Sequence, residues 1–125
     1  MRLLLDTHIL LWCLADDPTL PDNIRKTVVD SSNSVYVSAA SGWEIAIKKA
    51  IDKLEAPDDL LEAISICRFE PLSITFTHAM KAGSLPRHHD DPFDRMLIAQ
   101  SILEGCILVT RDHRIKAYGI SLLLA

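Results

Sequence analysis

Four acidic residues, Asp6, Glu44, Asp94 and Asp112, each stand where a short apolar run ends or a helix begins. Asp6 follows Leu3-Leu4-Leu5, Glu44 comes shortly after Val35-Tyr36-Val37, Asp94 opens the apolar stretch Met96-Leu97-Ile98-Ala99, and Asp112 closely follows Ile107-Leu108-Val109. Carboxylates are hard oxygen donors. Several brought to one place suit Mg²⁺ or Mn²⁺, and a paired-ion site of this kind is a common means of hydrolysing phosphodiesters. Two such groups ~8 Å apart at an effective dielectric of ~20 repel by roughly 2 kcal/mol, a heavy load for a small domain of marginal stability. The spacing sets no lysine or arginine beside each acid, so the expected compensation is divalent metal.

The elements that must position these residues alternate between short β-like runs and longer helical ones. Strands are expected over 2–5, 35–37, 70–72, 107–109 and 121–123. Helices are expected over 7–15, 22–31, 41–50, 57–67, 77–83, 92–104 and 113–118. Such alternation points to a parallel sheet covered on both faces, a three-layer α/β/α fold. Ligands of these folds bind outside the carboxyl ends of the strands, which is where the four acids fall. Asp91-Pro92 reads as a capped helix start, Ser41 to Glu44 has capping-box spacing, and Gly105 ends the long helix.

Each acid also has a local reading: Asp6 and Asp112 as helix caps, Glu44 as the closing member of its box, Asp94 as a charge favoured by the helix dipole. A ligand can also cap, so the two readings are compatible. His8, His88, His89 and His113 lie near the acids, but none has the pair spacing of a metalloprotease helix or a zinc finger, and zinc is the weaker expectation. Trp12 and Trp43 read as core or interface residues rather than base-stacking platforms. No nucleotide-binding glycine loop and no serine or cysteine protease arrangement is visible.

At 125 residues the chain is expected to form one domain, 1–125, with one core. No apolar stretch reaches the ~20 residues of a membrane span, and the N-terminal run, interrupted by Asp6 and His8, does not read as a signal peptide. Cys13, Cys67 and Cys106 are expected to be buried free thiols. Together these features predict a cytosolic protein. The net charge of −4 comes from 17 acids against 13 lysines and arginines. Filling the four-acid site with metal leaves 13 acids against those 13 cations, which permits metal-dependent RNA contact and disfavours tight generic DNA binding.

The motifs resemble those of PIN-domain ribonucleases, with the likeness strongest to VapC-like toxins of bacterial toxin-antitoxin pairs. The resemblance is carried by Leu5-Asp6-Thr7-His8, by Ser41-Gly42-Trp43-Glu44-Ile45 with Lys48 downstream, by Leu85-Pro86 to His89, by Asp91-Pro92-Phe93-Asp94-Arg95 running into Leu97-Ile98-Ala99-Gln100, and by Thr110-Arg111-Asp112. It implies metal-binding acids at Asp6, Glu44, Asp94 and Asp112, with Thr7 and Thr110 orienting ligands or substrate. It also implies a parallel sheet of about five strands, a homodimer, a cognate antitoxin, and Mg²⁺- or Mn²⁺-dependent hydrolysis of RNA leaving a 3′-hydroxyl and a 5′-phosphate. Asp52-Lys53-Leu54 departs from the Gly-Lys-Leu common in such toxins. An antitoxin is expected to bring an arginine to the acids and an amphipathic helix to the surface around Leu10, Leu11, Leu14, Leu60, Leu61 and Ile64.

Three rivals are weighed against this. A haloacid-dehalogenase-like phosphatase needs a second aspartate two residues after the first, where this chain has His8. A phospho-acceptor receiver needs an acidic pair at the first strand and a lysine after the last, and neither is present. A PIN fold kept only for protein binding would be expected to lose one or more of the four acids, and all four stand.

Overall fold

The computed structural model describes residues 1–125. In chain order the elements are β1 (Arg2–Leu5), α1 (Thr7–Ala15), α2 (Asp22–Val29), β2 (Ser34–Ser38), α3 (Ala39–Ala50), α4 (Leu60–Ile66), β3 (Glu70–Leu72), α5 (Phe76–Ser84), α6 (Pro92–Glu104), β4 (Ile107–Thr110) and β5 (Leu122–Leu124), with a 3₁₀ segment at His113–Tyr118 between the last two strands. The five strands pair in parallel in the order β3-β2-β1-β4-β5. The chain winds outward from β1 through β2 to β3, then crosses back to lay β4 on the other side of β1. The gap between β1 and β4 is therefore the topological switch point, the usual binding crevice of such sheets.

Register brings the strand ends into step. Leu5 pairs with both Val37 and Val109, and the Asp6 amide donates to the Val109 carbonyl at 3.0 Å. Asp6, Ser38 and Thr110 are then the next residues along one edge.

Alternation of side chains across β1 divides the interior in two. Leu3 and Leu5 join Ile9, Leu10, Ile24, Val28, Ile45 and Ile64 from α1 to α4. Leu4 faces the other way, onto Leu97, Ile98, Leu108 and Ile115 beneath α5 and α6. Burial on both faces explains why β1 is apolar without interruption, and it yields the expected three layers.

Local signals act as expected at α6: Asp91 accepts from the amides of Phe93 and Asp94, Pro92 is the first helical residue, and Gly105 ends the helix at φ 65°. At α3 the expectation fails, because Ser38, not Ser41, is the cap and accepts from the Ala40 amide. The β2 strand hands directly to the helix, so Ser41 lies inside it. The segments 22–31 and 57–67 shorten to α2 and α4, and 113–118 is a 3₁₀ helix rather than an α-helix. Asp52, where the resemblance leads one to expect a glycine, sits at φ 56°. That left-handed conformation favours glycine, and aspartate is among the residues that tolerate it. No helix is long and apolar enough to cross a membrane.

Candidate functional site

The first strand and third helix supply one half of an acidic centre. Asp6 is buried and caps α1 by accepting from the Ile9 amide at 2.8 Å, with the Thr110 hydroxyl close enough to pull its carboxyl down. Glu44, also buried, accepts from the Thr7 hydroxyl at 2.6 Å, and the Ser41 hydroxyl lies 3.1 Å from the same Thr7 oxygen. Lys48, one turn along α3, places its ammonium on the other Glu44 oxygen.

The second half is built around a histidine. His89 is 5% exposed, and its Nε2 lies 3.0 Å from Asp94 and 2.9 Å from Asp112. Its Nδ1 accepts from the Asp91 amide at 3.2 Å, so the ring proton sits on Nε2 and is shared between the two carboxylates. Arg95 fixes the loop that carries His89. Its guanidinium donates to the carbonyls of Ala82, Leu85, Pro86 and His89 over 2.9–3.2 Å. Asp112 caps the 3₁₀ segment through the Arg114 amide and is forked by the Arg114 side chain.

Several expectations change here. The acids do have cationic neighbours: Lys48 on Glu44 and Arg114 on Asp112. Both signals stood in the sequence, an i,i+4 pair on a helix and an arginine two residues past a cap, but the fold was needed to show that both side chains turn onto the acids. His89 is the functional candidate that sequence reasoning passed over, because its partners lie in other elements. Glu44 closes no capping box. Of the core-or-interface expectation for Trp43 only the core half fails: the side chain is 65% exposed and meets Phe93 edge to face at 5.5 Å between ring centroids. Trp12 does pack on the core, beneath the Arg111 guanidinium. Cys67 is exposed rather than buried.

Burial and crowding divide the acids electrostatically. Asp94 is pushed up to about 7, mainly by desolvation and then by Asp91, with Asp6 and Glu44 adding and His89 opposing. Burial also raises Asp6, against the pull of Thr110 and the Ile9 amide. Arg114 holds the Asp112 carboxyl well below the usual range, with His89 assisting. Lys48 is raised by its bond to Glu44.

The donor set fits a hard divalent ion. The ligand atoms of His89, Asp94 and Asp112 lie within 4.8 Å of one another, and Asp94 is near enough to Asp6 and Glu44 to feel both. His89 suits orientation better than ligation, since offering Nε2 to a metal would cost its Asp91 bond and its grip on two carboxylates.

The sequence profile of the PIN domain matches residues 3–120. Ribonuclease VapC22 of Mycobacterium tuberculosis (strain ATCC 25618 / H37Rv) is 29% identical over 122 residues, covering 92% of this chain and 90% of that protein. Two crystal structures share the fold. One is VapBC2 from Rickettsia felis bound to a DNA fragment from their promoter, with a TM-score of 0.73 at 17% identity over 99% of this chain and 98% of that one. The other is DNA-bound VapBC from Salmonella typhimurium, with a TM-score of 0.72 at 20% identity over 98% and 97%.

Proposed function

The chain belongs to the PIN-domain family, and from that premise we propose that it is the toxin of a toxin-antitoxin pair, an endoribonuclease dependent on Mg²⁺ or Mn²⁺ that acts in the cytosol. The observation that carries this reading is the junction of buried Asp6 and Glu44 with the His89-linked Asp94 and Asp112 at the sheet's switch point. Asp6, Glu44, Asp94 and Asp112 are the metal-holding residues of the proposal. A divalent ion held there supplies a water of lowered pKa and neutralises charge on the phosphodiester.

The chain's own residues do the rest. Thr7 aims Glu44 by donating to it and the Ile9 amide holds Asp6, with Thr110 beside it, so that the remaining carboxylate lone pairs are directed rather than free to rotate. His89 does the same for Asp94 and Asp112 at once. Lys48 and Arg114 offset negative charge that would repel an RNA strand. No side chain acts as a covalent nucleophile in this scheme.

The relative's name, a ribonuclease VapC, and the VapBC likenesses support RNA as substrate and a cognate antitoxin as partner. Trp43 and Ile47 on α3 and Ile51 at its C-terminal cap recur at i, i+4 and i+8 and are all exposed. This apolar stripe beside the acids favours a protein partner, an antitoxin helix or a second copy in a homodimer.

The test is induced expression in bacteria followed by sequencing of RNA ends. The expected outcome is growth arrest, new 5′-phosphate ends, loss of cutting by the purified protein on chelation, and recovery of growth when the neighbouring gene is co-expressed. A purified protein that leaves RNA intact in Mg²⁺ and in Mn²⁺ overturns the reading.

A further inference from the structure

Asp112 is the one acid of the centre whose oxygens are fully engaged. Its Oδ1 accepts from the Arg114 amide at 3.0 Å and from Arg114 Nε at 3.0 Å. Its Oδ2 accepts from Arg114 Nη2 at 2.8 Å and from His89 Nε2 at 2.9 Å. An ionised carboxylate offers about four lone-pair sites, so these contacts leave no direction open for a cation. His89 and the Arg114 amide are fixed by the surrounding fold. The Arg114 side chain is not: it is 70% exposed and bonds to nothing except Asp112. If Asp112 takes part in holding a divalent ion, the guanidinium is the contact that must leave.

A guanidinium released at that point has an obvious second use. Its planar fork matches a phosphate as well as it matches a carboxylate. It stands at the mouth of the acidic centre, near enough to Asp94 and Asp91 to feel both. Arg111, on the same β4 exit loop, is exposed as well but is seated over Trp12, 4.8 Å from the ring centroid.

We propose that Arg114 is a phosphate-binding residue for the RNA strand, held on Asp112 until a divalent ion takes that carboxylate, so that ion loading and RNA binding are coupled through one side chain. The inference rests on the ribonuclease reading above and adds to it a substrate contact and an order of events. By linkage the coupling is reciprocal: the ion raises affinity for the strand, and the strand raises affinity for the ion.

The test compares wild type, Arg114→Gln and Arg111→Gln, the last removing the same charge from the same loop without touching Asp112. Two quantities are read: Mn²⁺ affinity by electron paramagnetic resonance without RNA, and binding of a labelled single-stranded oligouridylate by stopped-flow anisotropy before strand scission, across a salt series. Arg114→Gln is expected to bind Mn²⁺ about twofold to fivefold more tightly than wild type, the range set by an exposed ion pair, and Arg111→Gln to show a smaller change. In Mn²⁺ the salt slope for oligouridylate falls by about 0.7 in Arg114→Gln, one phosphate contact on a single strand. In chelator its slope equals that of wild type, because the guanidinium is then engaged with Asp112. A slope reduced equally with and without Mn²⁺ overturns the coupling. Unchanged Mn²⁺ affinity in Arg114→Gln, or a gain matched by Arg111→Gln, overturns the hold on Asp112. If wild type neither binds nor cuts RNA in Mn²⁺, the ribonuclease reading fails first. If it does both and only the Arg114→Gln signature is missing, this inference alone fails.

Discussion

The two halves of the acidic centre are built by different means. Asp6 and Glu44 come from the end of a strand and the second turn of a helix, and each is aimed by a neutral donor, the Ile9 amide with the Thr110 hydroxyl nearby for Asp6 and the Thr7 hydroxyl for Glu44. Asp94 and Asp112 come from a helix start and a loop, and they share one histidine proton. Among the acids Thr7 serves Glu44 alone, so a defect there stays local, whereas the Thr110 oxygen also accepts from the Asp112 amide. The histidine half is wired through one ring, which Asp91 and Arg95 hold in place, so a defect there disturbs two acids together.

The largest effect should come from removing an acid outright. Asp94→Asn is expected to lower RNA cleavage more than about 100-fold, beyond the 10- to 100-fold typical of groups that orient ligands. His89→Gln should fall inside that range and Thr7→Val below it, because Thr7 serves Glu44 alone. Rates on one RNA under saturating Mg²⁺ measure all three. A Thr7→Val loss deeper than that of His89→Gln would break the comparison, and parental cutting by Asp94→Asn would remove Asp94 from the site.

Titration sharpens the contrast. A folded carboxyl raised to about 7, against ~3.9 in the unfolded chain, binds more protons folded than unfolded between those values. Its stabilising contribution is present at low pH and lost as pH rises through 7. Asp112, held below its ordinary value, works in the opposite sense, and its contribution is lost only as pH falls below about 4. In chelator the protein should therefore lose on the order of 2 kcal/mol between pH 5 and pH 8 through Asp94. Mg²⁺ should restore stability more at pH 8 than at pH 5, where protons compete for the same oxygens. Urea melts at the two pH values, with and without Mg²⁺, check this. Asp94→Asn should flatten the pH dependence, and a wild type already flat in chelator would contradict the crowding described for Asp94.

How much of this was legible in the sequence follows from how far each signal reaches. The run Leu3-Leu4-Leu5 marks a strand buried on both faces, and Asp91-Pro92 with Gly105 brackets α6, because caps and periodicity act over a few residues. The places of Asp6 and Asp112 just past β1 and β4, and of Asp94 in the first turn of α6, were legible for the same reason. The α3 start was misplaced because Ser41 and Glu44 imitate a capping box while the helix continues from the strand through Ser38. His89 was illegible because its partners lie in α6 and beyond β4, and only the return of β4 to the side of β1 brings them together. Lys48 and Arg114 were legible as neighbours but not as partners, since that depends on which way each side chain turns.

The smallest effect separates a holder of structure from a holder of charge. Asp91 caps α6 through the Phe93 and Asp94 amides and is the first charged neighbour raising Asp94. Asparagine caps about as well as aspartate, so Asp91→Asn keeps the helix start and removes only the repulsion. The expected change in stability at pH 7 is under ~1 kcal/mol, with most cleavage activity retained. The midpoint of the chelator-treated pH profile should move down, toward the ordinary carboxylate range, because desolvation of Asp94 then acts without its neighbour's charge. Melts across a pH series, read beside cleavage rates, give both numbers from one preparation. If Asp91→Asn loses activity as deeply as Asp94→Asn while its melting curve stays parental, Asp91 belongs among the metal-holding acids. The histidine half would then contain three carboxylates rather than two.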